Sequence, residues 1–148
     1  MVEKEITVFY ESAKKLCEYF NYTVIKQDNI EELMLLMLDV YSKGLLLPEV
    51  EPDDMELPVR EDRQPIIKIE IPSTYWEIFD PFIEDEPVCG DLADDLSDIR
   101  DDLLDGIADY ENGLINNAVF NWKLFHRSHY GNHIVAAIKA LQHLREEN

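Results

Sequence analysis

The apolar positions of this chain repeat mostly at helical spacing. Over residues 4–20, Ile6, Phe9, Ala13, Leu16, Cys17 and Phe20 fall on one stripe. Asn21 and Tyr22 close that helix. Asp28 is placed as an N-cap, with Glu31 three residues later completing a capping box. A second helix runs from there to about Lys43, with Gly44 as its C-terminal cap. Ile30, Leu33, Met34, Leu36, Met37, Leu38, Val40 and Tyr41 take more than half of its circumference. A helix that apolar is central in a bundle or shared with a second subunit.

The helical period then stops, and all seven prolines lie between residues 48 and 87. VEPDDMELPVREDRQ reads as a solvated loop. PIIKIEIP alternates Ile67, Ile69 and Ile71 with Lys68 and Glu70, the pattern of a short strand between prolines. YWEIFDPF, residues 75–82, offers four aromatic rings to pin this crossover onto the helices. The period returns with Leu92, Leu96, Ile99, Leu103, Ile107 and Tyr110, and Gly113 stops that helix. Asn117 can cap a last helix over residues 118–148, where Gly131 marks close packing or a kink. The expected fold is therefore all-α: a single helical domain over 1–148, an antiparallel bundle of four principal helices. A long crossover joins helices two and three, with room for one short strand. Leu36, Met37, Leu96, Ile99, Leu103, Trp122 and Phe125 are its expected core.

Charge sharpens this picture at one helix. The net charge is −19, and residues 84–117 hold twelve acidic side chains against one arginine. At about 100° per residue, Asp91, Asp94, Asp95, Asp98, Asp101, Asp102, Asp105 and Asp109 share one arc of about 120° beside the apolar stripe. The simplest reading of that arc is a solvated helix face. No calcium-loop spacing is present. Such a surface repels nucleic acid and anionic membranes, so neither is an expected partner. The longest apolar run, LMLLML, is far too short to span a bilayer. Two cysteines without metal-ligand spacing and an N-terminus without a leader pattern make the cytoplasm the expected location.

All four histidines lie in the last helix, and His126, His129 and His133 share a face with Trp122, Phe125, Ala136 and Ala140. The short connection near residue 114 makes the last two helices antiparallel neighbours. In that register Asp98 and Asp102 stand level with His126 to His133. Imidazole and carboxylate suit zinc, iron or manganese, and they equally suit one another as hydrogen-bond partners. The leading expectation is a structural Asp–His network. A metal site is the alternative, and acid–base catalysis comes third. No pattern of a nucleophile elbow, a phosphate-binding loop or a dinucleotide fold appears.

YWEIFDPF, DLADDLSDIRDDLLDGIADYENG and AVFNWKLFHRSHYGNHIVAAIKALQHL together resemble the bacterial family called domain of unknown function 5063. LMLLMLDVYSKGLLLPEV resembles its second helix and the leucine-proline step that follows. His129, Tyr130, Gly131 and His133 match a histidine-aromatic-glycine step, with Tyr130 in the place expected of a tryptophan. The resemblance covers most of the chain. It implies a small helical bacterial protein and brings no activity with it.

These readings converge on an acidic cytoplasmic interaction or accessory protein without catalysis or cofactor, acting on a protein partner that the sequence does not identify. The alternative is a metal-binding bundle using Asp98, Asp102, His126, His129 and His133 beside Trp122. The apolar second helix and the unpaired Ile67–Ile71 segment also favour a symmetric homodimer.

Overall fold

A computed structural model describes residues 2–58 and 64–146. Residues 59–63 of the expected loop and 147–148 of the expected last helix lie outside them. Five α-helices and one small hairpin follow in order: α1 (Val2–Tyr22), α2 (Ile30–Leu45), β1 (Thr74–Glu77), β2 (Val88–Asp91), α3 (Leu92–Glu111), α4 (Ile115–Ser128) and α5 (Tyr130–Glu146). The protein is broadly all-α, as its periodicity predicts. No helix among the described residues is long and apolar enough to cross a membrane.

The stripe of α1 is buried throughout, from Ile6 to Phe20, and packs on α2 and α3. Phe9 meets the Trp122 ring at 4.9 Å between centroids, which joins the first helix to the fourth. Leu96, Ile99, Leu103, Trp122 and Met37 are buried together, while Leu36 and Phe125 are half-buried at the margin. Trp122 lies over Gly106 and donates Nε1–H to the Leu103 carbonyl at 3.3 Å. A Cβ at Gly106 would fall 2.0 Å from that indole, so the glycine sets how closely α3 and α4 approach.

Local signals at the helix ends work differently from the sequence expectation. A turn of 3-10 helix at Gln27–Asn29 precedes α2. The Asn29 side chain accepts the Lys26 N–H at 2.8 Å there, and no side chain caps α2, so Asp28 and Glu31 form no capping box. Gly44 lies inside α2, where the His126 ring occupies the space a Cβ would need. Asn117 is the third residue of α4, not its cap. The cap comes from the crossover: Asp53 Oδ2 accepts the Asn117 N–H at 3.0 Å. The Asn117 side chain holds Asp53 and Met55 in return, each at 2.6 Å.

The expected last helix is two helices. It breaks at His129, whose φ of −142° and ψ of −88° are far from helical. Gly131 permits the close approach at this break, since a Cβ there would stand 1.8 Å from the His126 carbonyl oxygen. Tyr130 turns inward at the break and donates its hydroxyl to the Trp122 carbonyl at 2.7 Å. Among the described residues the bundle thus has five α-helices where four principal ones were expected, and α4 and α5 together run back along α3.

The crossover also corrects two expectations. Ile69 makes only an isolated parallel bridge to Ile25, and the paired strands lie further on, with Tyr75 opposite Gly90. The reason is backbone satisfaction. Ser97 Oγ accepts the Ile67 N–H at 2.9 Å, and Arg100 donates to the carbonyls of Pro65 and Gln64 at 2.8 and 3.3 Å. Side chains of α3 take the bonds that a neighbouring strand would have taken. Of the four aromatics in YWEIFDPF only Tyr75 reaches inward, whereas Trp76, Phe79 and Phe82 are exposed.

Candidate metal site

The carboxylates of α3 and the histidines at the α4–α5 break meet in one cluster. His133 Nδ1 lies 2.9 Å from Asp95 Oδ1, and its Nε2 lies 3.3 Å from Asp98 Oδ2. His129 Nδ1 lies 2.5 Å from Asp102 Oδ2, and its Nε2 lies 4.0 Å from the same Asp98 oxygen. The two rings stand edge to face, 4.8 Å between centroids. Asp98, His129 and His133 present ligand atoms within 4.8 Å of one another.

The local fold builds this arrangement in steps. Asp91 caps α3 by accepting the Asp94 N–H at 3.2 Å and is itself held by Ser73 Oγ at 2.7 Å. That fixes the first turn and aims Asp95 and Asp98 along the seam with α5. The turn at His129 puts two imidazoles at the end of one helix and the start of the next, both facing α3. Tyr75 donates its hydroxyl to Asp95 Oδ2, which anchors the carboxylate behind His133. Gly90, across the hairpin, leaves the space that the Tyr75 ring fills on its way there.

Burial grades across the cluster. The Asp95 side chain is 9% exposed, His133 is 27% exposed, and Asp98 is 46% exposed. The site is therefore closed behind the rings and open at Asp98. The hydrogen bond to Asp95 raises the His133 pKa, against the lowering effect of its burial. Burial raises Asp102, and its bond to His129 only partly opposes that. Burial, followed by the bond to Asp95, pushes the Tyr75 hydroxyl up, so it stays a donor.

Proton accounting shows what the cluster demands. An ionised carboxylate only accepts, so each Nδ1 carries the hydrogen toward Asp95 or Asp102. In a neutral imidazole that leaves Nε2 with a lone pair. Both Nε2 lone pairs then face Asp98 Oδ2, which is a third acceptor. A proton on the His133 ring, whose pKa its bond to Asp95 raises, turns Nε2 into a donor to Asp98, and a cation shared by the three ligand atoms would meet the same demand. The Nδ1–H···carboxylate contacts are those that orient metal-ligating histidines and raise their basicity.

The candidate residues chosen from the sequence divide. Asp98, Asp102, His129 and His133 come together. His126 does not: it is buried on the other side of the seam, with Nε2 2.9 Å from the Tyr41 carbonyl and its ring against Gly44. Trp122 belongs to the core. Asp95 and Tyr75 are the members sequence reasoning missed. Asp95 had a signal, since at about 100° per residue it lies about 60° nearer the apolar stripe than Asp98. Tyr75 had none, because its place depends on a hairpin that no alternation announces.

A family model matches residues 2–147, almost the whole chain. The protein belongs to the family described as domain of unknown function (DUF5063). That membership agrees with the residues that carried the resemblance, the acidic α3 and the histidine-aromatic-glycine step at 129–133. Among curated proteins and solved structures, none matches the chain.

Proposed function

We propose that the protein binds one divalent transition-metal ion through Asp98, His129 and His133. The observation that carries this reading is the approach of two Nε2 atoms to one Asp98 oxygen, at 3.3 and 4.0 Å, with a carboxylate behind each ring. Two nitrogens and one oxygen suit zinc, iron or manganese. A tetrahedral ion bound at 2.0–2.1 Å holds its ligand atoms about 3.4 Å apart. His133 Nε2 and Asp98 Oδ2 are already at 3.3 Å, while His129 Nε2 stands 4.0 Å from that oxygen, so the third ligand moves inward as the ion binds. Three protein ligands leave further positions for water at the open side. The reading includes no catalytic step.

We infer as well that the protein works in the cytoplasm of a bacterial cell. Its two cysteines, Cys17 and Cys89, have no metal-ligand spacing, a usage that suits a reducing compartment.

Titration calorimetry on chelator-stripped protein tests the proposal. Zinc, iron(II) and manganese are each added at pH 7.5. The expected result is one saturable site for at least one of them, lost in Asp98→Asn and in His133→Ala and retained in Cys89→Ser. Binding that is weak, multiple and indifferent to both substitutions would be loose attraction to a chain of net charge −19, and would overturn the reading.

A further inference from the structure

The hairpin carries a surface that the metal site does not use. Between β1 and the end of β2, six large apolar side chains face solvent: Trp76, Ile78, Phe79, Phe82, Ile83 and Val88. Phe82 is 95% exposed, Phe79 84% and Trp76 72%. Large exposed apolar patches mark interaction sites, and tryptophan is enriched among the residues that carry binding energy there. The loop is shaped by its own polar groups, since Asp80 Oδ1 accepts the Phe82 N–H at 2.9 Å and the Asp80 carbonyl accepts the Ile83 N–H at 3.3 Å. That turn holds Phe82 outward. Beside the hairpin, β1 and α5 enclose a largely apolar groove of about 540 Å³, lined by Trp76, Leu92, Ala136 and Ala140, with Glu77 on its β1 side and Lys139 and His143 on its α5 side.

Charge identifies the occupant. Glu77, Asp80, Glu84, Asp85 and Glu86 interleave with the exposed apolar residues, and residues 74–91 contain no lysine or arginine. A second copy of the chain would bring like charges face to face across a twofold axis, which opposes association. An anionic lipid surface and a nucleic acid are opposed for the same reason. The surface is complementary to a protein helix with an apolar stripe and flanking lysines or arginines. We propose that the β1–β2 hairpin docks a basic amphipathic helix of a partner protein. The aromatic side chains and the groove take its apolar stripe, and the carboxylates select its charge. This inference is independent of the metal site and applies to the metal-free protein.

A synthetic peptide of about five helical turns, built from leucine and lysine with an apolar stripe, serves as the probe. Its controls are a leucine/glutamate peptide and a glutamine/lysine peptide. Fluorescence anisotropy is read at about 0.15 M salt, where long-range attraction is screened. The metal-free protein is expected to bind the leucine/lysine peptide at least tenfold more tightly than either control. Combined Trp76→Ser, Phe79→Ser and Phe82→Ser should weaken that binding at least tenfold. Phe79→Ser with Phe82→Ser, both in the connecting loop, should weaken it while leaving circular dichroism and melting unchanged. Leu35→Ser, on the exposed face of α2, should leave binding as it was. Four outcomes overturn the proposal. They are equal binding of the glutamine/lysine peptide, unweakened binding by the loop variant, no saturable binding, and a dimer that the loop variant dissolves. The last would make a second copy the occupant.

Discussion

His126 and the pair His129/His133 lie within eight residues of one another, yet they occupy opposite physical settings. His126 is buried among Tyr41, Tyr130 and Gly44, and its polar demand is met by one backbone carbonyl at 2.9 Å. Its chemistry is spent inside the core. His129 and His133 face three aspartates, and their second nitrogens converge on a partly exposed oxygen. Residue type is the same in both places. Which helix stands opposite decides the difference: α2 offers a carbonyl and a missing Cβ, whereas α3 offers carboxylates.

The comparison breaks most forcefully at its buried end. His126→Ala removes a packed ring and its hydrogen bond to the Tyr41 carbonyl. A loss of about 2 to 4 kcal/mol in denaturant-melt stability is expected, from the cavity and the lost hydrogen bond together. Metal affinity should be unchanged. A His126→Ala protein as stable as the parent would mean that this histidine is not a core residue.

Asp95→Asn sharpens the other end. The amide keeps the shape but cannot hold the His133 Nδ1–H as a carboxylate does. Metal affinity measured by competition with a chelating dye should fall about 10- to 100-fold, the usual effect of removing such a partner. Tyr75→Phe should lower it less, because Tyr75 acts only through Asp95. Equal losses in the two variants would show that the tyrosine, and not the carboxylate, orders the ring.

The smallest expected effect is the pH dependence of the metal-free protein. His133 is raised by its bond to Asp95, and Asp102 is raised by burial. Both therefore bind protons more tightly folded than unfolded. The His133 contribution is complete below its unfolded pKa of about 6.5 and fades as pH rises through the higher folded value. The Asp102 shift acts in the same direction from its ordinary carboxylate range upward. Chemical-denaturation midpoints between pH 6 and 8 should thus decline slightly with pH, and His133→Ala should flatten the slope. Metal affinity should run the other way, because the ligating nitrogens must be free of protons. A metal-free protein that gained stability across that range through His133 would contradict the Asp95 pairing.

How much of this was legible in the sequence follows from how far each feature depends on other elements. The stripe from Leu92 to Tyr110 and the turn at Gly113 are local, and they were readable together with the antiparallel seam. Gly131 announced close packing or a kink, but not that the helix would end at His129, because that depends on how near Gly131 stands to the carbonyl of His126. Ile67, Ile69 and Ile71 alternate as a strand does, but Ser97 takes the Ile67 N–H, Arg100 takes the carbonyls of Pro65 and Gln64, and Ile69 meets Ile25 in an isolated bridge. The hairpin partner of β1 is VCGD, which has no alternation of its own and needs Gly90 only to seat Tyr75. Near the site, the carboxylates and histidines were readable as a set. Which nitrogen meets which oxygen was set by the helix break and by Tyr75.

X-ray absorption at the zinc edge of the stoichiometrically loaded protein tests the central claim most directly. The account predicts a first shell of mixed nitrogen and oxygen at about 2.0 to 2.2 Å, with outer-shell scattering from two imidazole rings that falls to one ring or none in His133→Ala. A shell of oxygen alone, unchanged in that variant, would place the ion on the open acidic face of α3 and contradict the assignment of Asp98, His129 and His133 as its ligands.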